Sequence, residues 1–351
     1  MNPIKNINIV RRKVFRYITG SFKNNFNKTA SNNNDDVKRI LICRPNHKLG
    51  NLLLLSPLIQ ELESTFPNSE IDLLVNQSCA SQLYQSYDNV NQVIEFPQKF
   101  FTNPIKYIRT LIRLRSTKYD LAINAVRNSS SGRIFTSICN AKVKFVSDSD
   151  TDIKEKHIAK QVIYSLREFL PTIGVKANDA VPACLDLRLA NHELIDAGIL
   201  VYDIVQNTQL TICLSTHPAN DSCYTERWWL DLYENLHRAF PDVNIVEVLP
   251  NKNVSRIGFR ASALYSADIR ELAAMIANTD VFIGVDSGVM HLASASLTPT
   301  IGLFTTTDTE KYKPYNEGSI AIKINELKID DLIVLIKNAL YPHINTAALD
   351  L

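Results

Sequence analysis

The sequence predicts an α/β fold made of two doubly wound halves, each a mostly parallel sheet with helices on both faces. Three observations predict it. From Lys38 onward, short apolar runs rich in β-branched residues alternate with segments of helical spacing. A less regular stretch containing Pro171, Gly174, Pro182 and Gly198 interrupts the alternation near mid-chain. The alternation then restarts, and 351 residues suit two domains better than one.

The elements follow in order. Arg39–Arg44 is a short apolar strand, and Leu52–Phe66 has helical spacing that Pro67-Asn68 ends. Glu70–Val75 is the next strand, with further strands at Val90–Phe96, Leu121–Ala125 and Lys142–Val146. Helical patterns at Pro104–Arg115 and His157–Leu170 supply crossovers, which parallel neighbours require. The irregular stretch holds a short helix at Asn191–Ala197. Beyond it, strands are expected at Gln209–Leu214, Asn244–Leu249, Val281–Val285 and Thr300–Phe304. Helices are expected at Arg227–Phe240, Ala267–Asn278, Val289–Ser296 and Ile329–Leu340. The expected division is a basic extension over 1–36, a first α/β domain over 37–175 and a linker over 176–206, then a second domain over 207–325 and a C-terminal helix and tail over 326–351. Two such halves imply a cleft between them.

Composition narrows the function classes. Apolar content of 45% is enough for packed cores, and a net charge of +2 gives no general case for nucleic-acid binding. No apolar run reaches the roughly 18 residues a membrane span needs, and residues 1–36 lack the apolar core of a secretory signal. Six cysteines (43, 79, 139, 184, 213 and 223) form no CxxC pair and no metal-ligand spacing, which reads as reduced, buried thiols of a cytosolic protein. Residues 1–34 carry Lys5, Arg11, Arg12, Lys13, Arg16, Lys23 and Lys28 with no acid. Ile7, Val10, Val14, Phe15, Ile18 and Phe22 lie among them at roughly helical spacing, so residues 1–28 read as a basic amphipathic helix on an anionic bilayer or as a basic tail.

Two loops carry the chemistry. The run Val281–Val285 stops at Asp286-Ser287-Gly288, and a helix-like segment follows. Such a strand–loop–helix corner offers free backbone N–H groups and the positive end of a helix dipole, and phosphate suits it best. The first strand opens into Arg44-Pro45-Asn46-His47-Lys48-Leu49-Gly50-Asn51, a polar loop at a strand's carboxyl end. The chain has no GxG and no GxxxxGK[ST], so nicotinamide-dinucleotide and P-loop readings lose their main support.

These residues resemble a family. Arg44-Pro45 with Gly50-Asn51, Leu54 and further along Phe66-Pro67-Asn68 are similar to the opening of the ADP-heptose:lipopolysaccharide heptosyltransferases, glycosyltransferase family 9. The strings Ile269–Ala277, Asp286-Ser287-Gly288-Val289-Met290-His291 and Thr298–Phe304 resemble the same family's donor side, so the resemblance runs from about Arg39 to Tyr315. It implies a GT-B fold, two Rossmann-like doubly wound domains facing a central cleft, with donor contacts in the C-terminal half and acceptor contacts in the N-terminal half.

The implied donor set is Ser215, Thr216, Arg227, Asp286, Ser287, Gly288, His291 and Thr305, and the implied acceptor set is Arg44, Asn46 and Gly50. Ser215 and Thr216 would bond phosphate oxygens, and Arg227 would stand for a family lysine whose position falls on Glu226 or Arg227. Asp286, acceptor-only when ionised, suits sugar hydroxyls, while His291 would donate to phosphate or support the loop. Thr305-Thr306-Thr307-Asp308 stands where a Gly-Pro-Thr-Asp string is common. The family's usual aspartate base falls on Asn51, and an amide cannot take a proton at pH 7. Three readings stay open: Asn51 orients the acceptor while His47 or another group is the base; a donor phosphate oxygen is the base; or the protein binds without catalysing.

Other signals are weaker. Asp148-Ser149-Asp150 mimics a metal-binding DxD string but has no strand context, so no metal and no cofactor is expected. Lys311–Tyr315 reads as a basic aromatic rim or a solvated loop, and Tyr265 or Arg260 as a neighbour of the nucleoside base. The function implied is transfer of a sugar, heptose by analogy, from a nucleotide-diphosphate donor to a lipopolysaccharide-core or related lipid-linked glycan, without metal and with inversion. The expected setting is cytoplasmic, peripheral to an inner membrane, with no nucleic-acid partner. The rival reading is a non-catalytic glycan- or nucleotide-binding descendant.

Overall fold

The computed structural model describes residues 37–45, 48–76, 79–97, 103–126, 129–146, 154–217, 224–249, 254–324 and 328–341. The expected amphipathic helix over 1–28, Asn46, His47, Asp148–Asp150 and Cys223 lie outside them. Contacts gather into two units. The first holds the described residues up to Lys48 together with Pro57–Ala183, and the second holds Leu49–Ser56 and those from Cys184 onward.

The first sheet comprises β1 (Arg39–Arg44), β2 (Glu70–Val75), β3 (Val90–Glu95), β4 (Lys118–Asn124) and β5 (Asn140–Val146), in the order β3-β2-β1-β4-β5. Every neighbouring pair is parallel. The central strands are buried on both faces, as near-continuous apolar runs demand. Asp72 is the exception inside β2. Its fully buried carboxylate accepts hydrogen bonds from Arg39, Asn91, Gln92 and the Tyr119 hydroxyl.

The expected helix over 52–66 is two helices, α1 (Leu49–Leu53) and α2 (Ser56–Thr65). Pro57 breaks it, because proline has no N–H to give the carbonyl four residues back. That carbonyl belongs to Leu53, and the Ser56 hydroxyl bonds it instead at 2.9 Å. Further on come α3 (Ala80–Leu83), α4 (Pro104–Ser116), α5 (Ser130–Ile138) and α6 (Ile158–Phe169). The helix α5 has no counterpart among the elements expected from the sequence. Here Ser129 caps the helix through Gly132 N–H, and a Cβ at Gly132 would sit 2.0 Å from Asn124 Oδ1. Glu61 on α2 and Arg167 on α6 form a buried bidentate pair at 2.7 and 2.6 Å.

The second sheet comprises β6 (Thr211–Ser215), β7 (Asn244–Val248), β8 (Ser262–Leu264), β9 (Val281–Val285), β10 (Thr300–Phe304) and β11 (Ile320–Lys323), in the order β11-β10-β9-β6-β7-β8, all parallel. The two edge strands, β8 and β11, are short and escape the sequence pattern. The helices are α7 (Asn191–Val205), α8 (Glu226–Ala239), α9 (Ile269–Ala277), α10 (Gly288–Ala295), α11 (Thr309–Tyr312) and α12 (Ile329–Leu340). Among the described residues no helix is long and apolar enough to cross a membrane.

The helix α7 runs past the expected end at Ala197 to Val205, because it packs on α9 within the second unit. A Cβ at Gly198 would lie 2.8 Å from Asn278 Oδ1, so glycine there sets the approach. Beside it Arg270 makes a bidentate pair with Glu193 at 2.6 Å on each arm, and also donates to the carbonyls of Leu187 and Arg188. The cysteines are mixed rather than uniformly buried: Cys43, Cys139 and Cys213 are buried, Cys79 is partly so, and Cys184 is exposed. Burial pushes the Cys139 thiol up to about 11.

Glu193→Ala leaves a buried guanidinium without its counter-ion, at a cost of about 3–5 kcal/mol. We expect a lower Tm in calorimetry for Glu193→Ala than for Glu193→Gln, which keeps hydrogen-bonding atoms. The hydrogen bonds from Arg270 hold the Glu193 carboxyl below its ordinary value. Its stabilisation is therefore present above the unfolded glutamate range, about 4.3, and disappears as pH falls through the lower folded value. Glu193→Ala should flatten that acid limb.

Candidate functional site

In the second sheet the strand order reverses between β6 and β9. The crevice outside the carboxyl ends of such a pair is where an open α/β sheet takes its ligand. The two loops expected to face the donor leave from these two strands.

At β9 the chain is buried through Val285, and the Asp286 N–H still bonds Leu303 on β10 at 3.1 Å. Ser287 then caps α10, its Oγ accepting from Met290 N–H at 3.3 Å. That leaves the N–H groups of Gly288 and Val289 at the first helical positions, where no intrahelical acceptor exists. Neither finds an acceptor among the described residues. Asp286, Ser287, Gly288 and Val289 are all half-buried, so the corner is open to a ligand. Such a corner can hold an anion by its amides and its dipole.

The role of Gly288 is sharper than the sequence suggested. A Cβ there would lie 3.0 Å from Leu49 Cβ and 3.4 Å from Gly50 N. A Cβ at Gly50 would lie 2.6 Å from His291 Cδ2 and 3.5 Å from Gly288 Cα. The two glycines thus let α1 lie directly on the first turn of α10, both in the second unit. Gly50, Gly288 and His291 come together in one cluster, with Asn51 next along α1. His291 is buried beneath Gly50, and Asn51 is half-buried on the same short helix.

At β6, Ser215 and Thr216 are buried. Ser215 pairs in register with Gly284. The Thr216 hydroxyl donates to Glu247 Oε1 at 2.6 Å and lies 3.1 Å from His217 Nδ1. Ser255 holds the other carboxylate oxygen of Glu247 at 2.5 Å. The Thr216 proton is therefore already taken. Glu247, buried at the end of β7, was missed in the sequence reading. A lone acid inside the apolar run Ile245-Val246-Glu247-Val248 is the signal that would have found it.

The other residues scatter. Arg227 stands 91% exposed on the first turn of α8, 4.0 Å from Asp231. Thr305 lines an open cavity of about 580 Å³ with Thr306, Thr307, Asp308, Thr309, Glu310, Ala321 and Lys323. Lys311 and Lys313 pair with Asp308 and Glu310, and Arg260 pairs with Glu234 at the surface. Arg44 is buried in the first unit, its Nη1 donating to the Ala125 carbonyl at 3.0 Å. No three His, Cys, Asp or Glu side chains among the described residues group to hold a metal.

Two α/β units, each built on a parallel sheet, with an open strand–loop–helix corner at the switch point of the second, make up the GT-B fold class. Comparisons with known proteins agree. Residues 261–332 match the family model for glycosyltransferase family 9 (heptosyltransferase). The chain is 24% identical over 300 residues to lipopolysaccharide heptosyltransferase 3 of Escherichia coli, covering 77% of this chain and 85% of that one. It is similar in fold to a family 9 glycosyl transferase from Veillonella parvula DSM 2008, with a TM-score of 0.71 at 16% identity over 87% of this chain and 97% of that one. It is also similar to E. coli heptosyltransferase WaaC solved with ADP, at TM-score 0.62 and 17% identity over 86% of this chain and 99% of that one. Over residues 261–332 by family model, and over most of its length by its relatives, the chain is similar to glycosyltransferase family 9.

Gly50→Ala would drive a methyl group into the His291 ring, and overpacking of this kind costs about 1–3 kcal/mol. Denaturant titration should show that loss for Gly50→Ala. The double variant Gly50→Ala/His291→Ala should lose less than the sum of the two single changes. Additive losses would separate the two residues.

Proposed function

We propose that this protein is a glycosyltransferase of lipopolysaccharide biosynthesis, moving a sugar, heptose by analogy, from a nucleotide-diphosphate donor to a lipopolysaccharide-core or related glycolipid hydroxyl. The observation that carries the proposal is the Asp286-Ser287-Gly288 corner, with unpartnered amides at the switch point of the second sheet. The relatives support it, since a lipopolysaccharide heptosyltransferase matches most of this chain and WaaC was solved with ADP. The donor base proposed on that ground is adenine.

In the proposed reaction the acceptor oxygen attacks the anomeric carbon as the bond to the diphosphate oxygen breaks. The anomeric centre inverts, and negative charge builds on the leaving diphosphate. The amides of Gly288 and Val289, the Ser287 hydroxyl and the α10 dipole stabilise that charge, with His291 supporting the turn. Asp286 holds sugar hydroxyls. Ser215 and Thr216 complete the donor side, Thr216 by accepting from a ligand donor since its own proton goes to Glu247. Arg227 and Thr305 contribute from the rim. No metal takes part in this proposal. On the acceptor side we assign Arg44, Asn46 and Gly50, with Asn51 orienting the hydroxyl and His47 or a donor phosphate oxygen taking its proton. Residues 1–28 would bring the enzyme to an anionic membrane.

Asn51 is also what favours a second reading, a binding protein of the same fold that does not catalyse. A thermal-shift series of nucleoside diphosphates and their sugars addresses the donor, and turnover with membrane extract addresses catalysis. We expect an ADP-selective rise in Tm that Ser287→Ala reduces, together with sugar transfer to a lipid-linked product. A shift without product in any donor–acceptor combination favours the binding protein, and no shift with any nucleotide overturns both.

A further inference from the structure

The helix α4 (PIKYIRTLIRLRS) is amphipathic twice over. Its inner face puts Thr110 and Leu114 into the first unit's core, with Tyr107 and Leu111 packed beside them. Its outer face carries Ile105, Ile108 and Ile112, which are 63%, 49% and 61% exposed. Their i, i+3, i+7 spacing stacks them into one stripe on the side opposite the buried residues. Three exposed isoleucines in a row on a surface helix are unusual, because a soluble face normally gives such positions to polar groups.

The charges beside the stripe are of one sign. Lys106, Arg109 and Arg113 flank it on one side and Arg115 on the other, and the helix contains no acid. Lys106 reaches Glu95 on β3, and Arg113 reaches Gln92. Arg109 and Arg115 are exposed and have no partner among the described residues. The helix therefore presents an apolar ridge between uncompensated guanidinium groups.

The exposed apolar face of α7 is a contrast. Ile195, Ile199 and Tyr202 are exposed there, but Asp196 and Asp203 lie beside them and no Lys or Arg does. An anionic surface would be repelled from α7 and attracted to α4.

We propose that α4 lies in the interface of an anionic phospholipid bilayer, with Ile105, Ile108 and Ile112 in the acyl boundary and Arg109 and Arg115 on lipid phosphates. An isoleucine stripe supplies apolar area, the flanking arginines supply attraction to anionic headgroups, and together they form an interfacial rather than a spanning helix. The inference stands on α4 alone and does not depend on the transfer reaction. It assigns a membrane contact to the first folded unit, apart from residues 1–28.

The test is flotation of the full chain with vesicles of phosphatidylethanolamine and phosphatidylglycerol, against vesicles of phosphatidylcholine alone. The parent protein should bind the anionic vesicles, less so at high salt. Ile105→Ser/Ile108→Ser/Ile112→Ser should lower the partition coefficient at least about tenfold, with an unchanged melting curve because the three side chains are exposed. Arg109→Glu/Arg115→Glu should do likewise, while the matched control Ile195→Ser/Ile199→Ser should not. Ile108→Trp should be quenched by brominated phosphatidylglycerol. The proposal is overturned if the parent ignores anionic vesicles, if the triple serine variant floats like the parent, or if the stripe proves to be a self-association face. The last result would be a dimer in light scattering that the triple variant abolishes.

Discussion

Two missing side chains govern the second unit. Without a Cβ at Gly50 or Gly288, α1 can lie against the first turn of α10, and every residue in that neighbourhood takes its place from the approach. Asn51 is carried in on the same short helix. His291 is buried under Gly50, so its ring is held by packing rather than left to swing in solvent. At the capped end of α10 the Ser287 hydroxyl accepts from Met290 N–H, while the N–H groups of Gly288 and Val289 have no acceptor among the described residues. For the anion-binding role proposed for this corner, rigid donors matter more than numerous ones, and the close helix contact supplies rigidity.

Charge is handled differently inside and outside the units. Arg167 with Glu61 and Arg270 with Glu193 are bidentate pairs largely removed from water. Each ties a helix to a stretch without regular structure: the first through Ala180, the second through Leu187 and Arg188. Such pairs fix geometry more than they add stability, since desolvation consumes much of the attraction. Asp72 and Glu247 are single buried carboxylates surrounded by neutral or cationic donors. The exposed pairs on α8 and α11 have no comparable effect.

Much of this architecture was legible in the sequence. The strands β1, β2, β9 and β10 and the helix α12 fall where apolar runs and helical spacing put them, because both faces of a central parallel strand are buried and its sequence says so. Short edge strands such as β8 and β11 bury little and leave little pattern. The helix α7 is longer than its local signal because α9 stabilises the second half through tertiary packing, not propensity. At the site, the Asp286 corner could be read from a β-branched run ending in Asp-Ser-Gly. The partnership of Gly50 with Gly288 could not, since spacing along a chain does not reveal which distant glycines face one another. Thr216 is the instructive case. A hydroxyl at a strand end looks available until Glu247, on the neighbouring strand, is found to hold its proton.

The helix α1 has an unusual allegiance. It follows directly on β1, a strand of the first unit, yet packs with the second. On the ribosome its leucines emerge early, while the surface that shelters them is synthesised only after the whole first sheet. The nascent chain must therefore carry Leu52 to Leu55 uncovered, or lodged elsewhere, for most of its synthesis. Neither unit is a contiguous fragment, so cutting the gene between them would strand α1 with the wrong half and leave the face of α10 bare.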